Sequence, residues 1–131
     1  MTGAEPVWIE EFEVRVLHER LLAIHGGLAG VRDEGLLNSA VARPRQIANY
    51  ESNADLIDLA SAYTVGLVKN HPFIDGNKRT GFVVGVLFLE LNGYRFAAPE
   101  TDAADAVLAV AAGELDESGY TSFLRENTRR D

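Results

Sequence analysis

A chain of 131 residues without cysteine has no disulfide framework, no thiol nucleophile and no thiolate metal site. With 47% hydrophobic and 24% charged residues it sits near globular averages, which argues against disorder and for a single domain, 1–131, that buries roughly two thirds of the surface its unfolded form exposes. The formal charge of −8 argues against nucleic acid as a direct partner, because a phosphate backbone needs a basic surface.

Met1 to Phe12 carries Glu5, Glu10 and Glu11 with no basic cluster, so no signal peptide is expected. The longest apolar run, Phe82 to Leu89, is far short of a membrane span. The expectation is a soluble cytoplasmic protein with no membrane partner.

After a short lead-in from Met1 to Trp8, the pattern turns helical at Ile9. Val14, Leu17, Leu21 and Ile24 fall at 3-4-3 spacing, with Ile9, Phe12 and Val16 beside them, and Gly26-Gly27 stops the helix. His18 and His25 lie two turns apart, about 10 Å, too far to share a metal, and read as surface or boundary histidines. Asp33 caps a short helix that runs to Arg43 and that Pro44 ends or restarts. Pro44 to Glu51 is the least determined segment. Ser52 to Asp55 reads as a capping box for a helix reaching Asn70. Phe82 to Leu89 is apolar on all sides, and Asn77 to Leu91 has no internal turn signal before Asn92-Gly93, which predicts a buried central helix. Gly81 and Gly85 on it allow a neighbouring helix to approach closely. Tyr94 to Pro99 reads as an extended link. Thr101 caps a helix over Ala103 to Ala112, and Ser118 opens a last helix whose Arg125, Arg129 and Arg130 suit its C-terminal dipole. The prediction is an all-α bundle of about six helices with the buried central helix following the loop.

That loop, His71-Pro72-Phe73-Ile74-Asp75-Gly76-Asn77-Lys78-Arg79, concentrates the chemistry of the chain. Between Leu59 and Leu89 the cations Lys69, Lys78 and Arg79 face Asp75 alone, a positive island in an acidic chain that favours a small anion. Gly76-Asn77 leads straight into a helix whose first turn leaves N–H groups unpaired and carries the positive end of the dipole. Lys78 and Arg79 are electrostatically unfavourable there unless something negative binds. Asp75 offers a hard oxygen ligand for Mg²⁺, and His71 a base that works near neutral pH. Phe73 and Ile74 would anchor the loop. The same residues also read as an ordinary Asp-Gly-Asn turn with Asn77 as N-cap. A metal held by His71 and Asp75 alone lacks a third ligand.

These nine residues resemble the signature of the Fic/Doc family, and the Asn77-Lys78-Arg79 ending resembles that of its Doc (death-on-curing) toxin branch. Similar residues at Gly26-Gly27-Leu28, Gly30 to Leu37, Arg43-Pro44 and Tyr50-Glu51 extend the resemblance over roughly His18 to Leu115. It implies the Fic/Doc fold and an ATP-dependent kinase, the toxin of a type II toxin–antitoxin pair. Such a toxin transfers the γ-phosphoryl group to a threonine of elongation factor Tu, blocks translation, and is neutralised by a cognate Phd-like antitoxin. By motif position the resemblance assigns His71 as base, Asp75 as Mg²⁺ ligand, and Gly76, Asn77, Lys78 and Arg79 as the phosphate-binding group, with His71, Asp75 and Arg79 catalytic. AMP-transferring Fic members have glycine where this chain has Lys78 and a second arginine where it has Phe82. The alternatives are such an AMP transferase, or an inactive domain that only binds a partner. Ser122-Phe123-Leu124-Arg125-Glu126-Asn127 matches the inhibitory helix of many Fic proteins, although Phe123 and Leu124 read as core.

Overall fold

A computed structural model describes residues 5–131, so the first four residues of the expected lead-in lie outside it. Its elements are six helices, α1 (Glu11–His25), α2 (Glu34–Tyr50), α3 (Leu56–Asn70), α4 (Asn77–Leu91), α5 (Glu100–Ala111) and α6 (Glu117–Glu126), and two short strands, β1 (Tyr94–Phe96) and β2 (Thr128–Arg130). The all-α prediction is therefore met, with a small antiparallel ribbon added.

The centre is a pair of helices. Nearly every residue of α3 from Ile57 to Val68 is buried, and α4 lies along it with Val84, Phe88 and Leu89 inside. The approach is close because Gly81 and Gly85 face α3. A Cβ on Gly81 would lie 3.1 Å from the Thr64 carbonyl oxygen, and one on Gly85 would run into the Thr64 hydroxyl. That hydroxyl donates to the Gly81 carbonyl at 2.7 Å, tying the two helices where they are nearest. Around the pair, residues of all six helices share one apolar core.

Several boundaries differ from the sequence reading, each for a local reason. Pro44 does not end α2. It is buried inside a 17-residue helix, and Ala40, whose carbonyl it leaves without the usual helical partner, sits against Gly66 of α3. The box before α3 is three residues later, with Asp55 and Asp58 each accepting the other's backbone N–H at 2.9 Å. Pro99 rather than Thr101 precedes α5, and Asp116 rather than Ser118 caps α6 by accepting from Gly119 N–H. Arg129 and Arg130 do not lie on the last helix. Asn127 stops it by donating to the Phe123 carbonyl, and Thr128–Arg130 then pair with Tyr94–Phe96.

On α1 the inward face keeps Val14 and, in part, Leu17 and Leu21 of the expected stripe, with two differences. Ile24 and Phe12 are exposed, and His18 is buried at 3% exposure. The six-residue match to an inhibitory helix lies far from the loop. Arg125 pairs with Asp55 and Asp58 at the start of α3, whereas His71 closes its end, so roughly 20 Å of helix separates them. Leu124 is buried and Phe123 packs on Phe96 and Tyr120, as core residues do.

Candidate active site

The loop from His71 to Gly76 joins the two central helices, so its ends are fixed by the most buried part of the fold. His71 closes α3 with φ 52° and ψ 54°, the only non-glycine residue at positive φ among those described. Because Pro72 follows, extended backbone is the default for His71. Instead it takes the left-handed turn that ends a helix and sends its N–H to the Leu67 carbonyl. For a residue with a Cβ this conformation costs about 1–3 kcal/mol unless neighbours enforce it. Arg32 does so. Its Nε donates to the His71 carbonyl at 2.7 Å and its Nη2 to the Asn70 carbonyl at 2.9 Å. The imidazole itself is exposed.

The middle of the loop is stitched to the connector between α1 and α2. The N–H groups of Arg32 and Asp33 both donate to the Pro72 carbonyl, and Ile74 N–H donates to the Gly30 carbonyl. Phe73 is buried and forms an isolated bridge with Val31. Asn77 folds its buried amide back across the loop, accepting from Phe73 N–H and donating to the Phe73 carbonyl, both at 2.9 Å. Its side chain is thus engaged, and its backbone N–H is the group it can turn to an anion.

Asp75 is exposed, yet its carboxylate is held in place. Oδ2 accepts from Leu28 N–H at 3.1 Å and Oδ1 from Gly76 N–H at 2.9 Å. These two bonds hold its pKa below the ordinary aspartate value, with smaller help from the charges of Lys78 and His18. Gly27, at φ 130°, makes room for it, since a Cβ there would meet Oδ2 at 2.9 Å. Among the described residues no three His, Asp or Glu side chains form a group that could hold a metal ion, so a cage of protein ligands alone does not fit. A single ionised, exposed carboxylate does fit Mg²⁺, which commonly takes one or two carboxylates together with phosphate oxygens.

Gly76 opens α4 at φ 81°, and Lys78 and Arg79 follow in its first turn, both exposed and neither paired with a carboxylate among the described residues. Lys78 stands between two hollows. One, about 490 Å³, is lined by Lys69, His71 and Lys78 with the end of α5 at Ala111–Gly113. The other, about 550 Å³ and largely apolar, runs past Arg79, Phe82 and Phe96 to Val107 and Leu108. Phe82 meets Phe96 edge-on at 5.7 Å, so this position contributes apolar surface and no charge. Chemically, the arrangement offers an anion two cations and a helix N-terminus, offers a metal one carboxylate, and keeps an imidazole at the rim.

The structure therefore sets His71 and Lys78 on one hollow and Lys78 and Arg79 on the next, while Asp75 lines neither and is held against Gly27 and Leu28 beside the Gly76 N-cap. Sequence reading missed the residues beneath the loop. His18 stacks on Phe73 with ring centres 3.7 Å apart and planes 7° apart, and its Nε2 lies 2.8 Å from the Asp75 carbonyl oxygen. Its place was legible, because His18 falls four residues after Val14 and three before Leu21, on the inward stripe. Arg32 and Gly27 gave no local signal, because their partners are more than thirty-five residues away in sequence.

The sequence model described as the Fic/DOC family matches residues 8–89, which hold α1 to α4 and the whole loop. The chain is 34% identical over 114 residues to "Protein kinase doc" of Escherichia phage P1, covering 86% of this chain and 89% of that protein. It is 43% identical over 74 residues to "Toxin Doc" of Mycolicibacterium smegmatis, covering 56% of this chain and 57% of that protein. With a match of this extent laid over this loop and this pair of central helices, the chain belongs to the Fic/DOC family.

Proposed function

We propose that this protein is a Doc-type toxin kinase that transfers the γ-phosphoryl group of ATP to a threonine hydroxyl of elongation factor Tu, blocks translation, and is neutralised by a cognate Phd-like antitoxin. The observation that carries this reading is the pair Lys78 and Arg79, unpaired on the first turn of α4 beside a glycine N-cap, where only a bound anion makes two cations favourable. The similarity to a protein named as a kinase supports it. Phe82 disfavours AMP transfer, because a packed phenylalanine stands where AMP-transferring Fic members have their second arginine.

In this reading His71 accepts the proton of the acceptor hydroxyl as its oxygen attacks the γ-phosphorus, and the bond to the β-phosphate oxygen breaks to release ADP. Lys78, Arg79 and the N–H groups of the first turn hold the phosphate oxygens and offset the charge that develops on them. Mg²⁺, held by Asp75, would neutralise phosphate charge when bound. The left-handed backbone at His71, enforced by Arg32, keeps the imidazole at the rim.

The test is transfer from γ-labelled ATP to purified elongation factor Tu by the wild-type chain and by His71→Ala. The reading predicts label on elongation factor Tu with the first and a loss of about 10²- to 10⁴-fold with the second, the range of a general base. Equal labelling by both would remove His71 from the chemistry, and no labelling by either would overturn the kinase reading.

A further inference from the structure

His18 is the one buried histidine, and the mechanism above does not use it. Its ring is sandwiched into the base of the loop, face on Phe73 and edge toward Gly76, where a Cβ would lie 3.6 Å from Nε2. The 2.8 Å contact from Nε2 goes to a carbonyl oxygen, which only accepts. His18 must therefore carry its proton on Nε2 and donate it to Asp75.

The carbonyl it holds belongs to the peptide that joins Asp75 to Gly76. In a trans peptide the C=O and the following N–H point in opposite directions. Holding the Asp75 carbonyl inward therefore aims the Gly76 N–H outward, where it meets Asp75 Oδ1 at 2.9 Å. Reversing that peptide would withdraw this N–H from the carboxylate and turn a carbonyl oxygen toward the mouth, against the anion and beside the carboxylate. Gly76, at φ 81°, offers little steric resistance to such a reversal, because a glycine has no Cβ to oppose it.

We infer that His18 is a positioning residue that locks the Asp75–Gly76 peptide with its N–H outward, and so sets the affinity of the loop for a metal-bound polyphosphate. The hydrogen bond does this, and the stack on Phe73 places the ring to make it. The inference rests on the proposed use of ATP for its consequence, but the lock itself can be read without nucleotide.

Two substitutions separate the bond from the stack. His18→Phe keeps a ring against Phe73 and has no donor; His18→Gln gives up the ring and can place an amide N–H where Nε2 stood. In the free protein, amide hydrogen exchange at Gly76 should be about tenfold faster in His18→Phe, the worth of one net hydrogen bond, and within about threefold of wild type in His18→Gln. Calorimetric titration with Mg²⁺ and ATP should show the same order, with affinity about tenfold weaker in His18→Phe and largely rescued in His18→Gln. If His18→Phe does not fold, His18→Leu, smaller than the ring it replaces, makes the same comparison. Wild-type exchange at Gly76 in the donor-less variant, or a glutamine variant no better than it, overturns the lock. A wild-type protein that binds no Mg²⁺ and ATP while Gly76 exchange still follows the donor would refute the nucleotide reading and leave the lock standing.

Discussion

At the scale of single residues, the candidate site combines groups that the sequence shows and groups that it hides. His71, Asp75, Gly76, Lys78 and Arg79 were legible because their types are unusual together: two cations at a helix start, a carboxylate and an imidazole within nine residues. Arg32 was not, because its role is to hold backbone thirty-eight residues away. It leads to a prediction. Arg32→Ala should let His71 leave its left-handed backbone and lower the rate of phosphoryl transfer about tenfold, with the KM for ATP little changed, since Arg32 bonds to the carbonyls of Asn70 and His71 and to none of the groups proposed to hold phosphate. Asp75 gives a second. Its pKa is lowered in the folded chain, so whatever stability it contributes is whole above the ordinary aspartate range and is lost as pH falls through the lowered value. Between pH 5 and pH 8 it stays ionised and causes no step. Gly27→Ala pushes the carboxylate off Leu28 N–H, so a carbon NMR titration should find the Asp75 midpoint higher in that variant; an unmoved midpoint would show that the glycine corner does not hold it.

At the scale of elements, the identity and order of the helices followed from periodicity, and their ends did not. Each misplaced end turned on a partner remote in sequence or on a nearby cap that competed with the chosen one. Pro44 stays in α2 because its ring is buried and Ala40 fits against Gly66, a tertiary fact. Arg129 and Arg130 form a strand because Tyr94–Phe96 offers an edge to pair with. The close approach of α3 and α4 was visible in the spacing of Gly81 and Gly85, and it makes a sharp test. Gly85→Ala places a methyl against Thr64 and 3.0 Å from the Ala60 carbonyl oxygen, and should destabilise the fold by about 1–3 kcal/mol. Urea unfolding would show this as a lower midpoint at an unchanged slope. A midpoint equal to wild type would mean that the helices separate at little cost.

At the scale of the whole molecule, an acidic chain of net charge −8 nevertheless places Lys69 and Lys78 beside His71 on one hollow, and Lys78 and Arg79 on the next. No helix among the described residues is long and apolar enough to cross a membrane. The fold supplies rigidity where the loop needs it, since both ends of the loop start from buried helix and its middle is bonded to the connector between α1 and α2. What distinguishes the two transferase readings is which phosphorus of ATP moves, and Lys78 with Phe82 favours the terminal one. The decisive measurement is to incubate the protein with elongation factor Tu and ATP labelled at either the α or the γ phosphorus, in parallel. The account predicts label on elongation factor Tu from the γ position and none from the α position; label from the α position would contradict it.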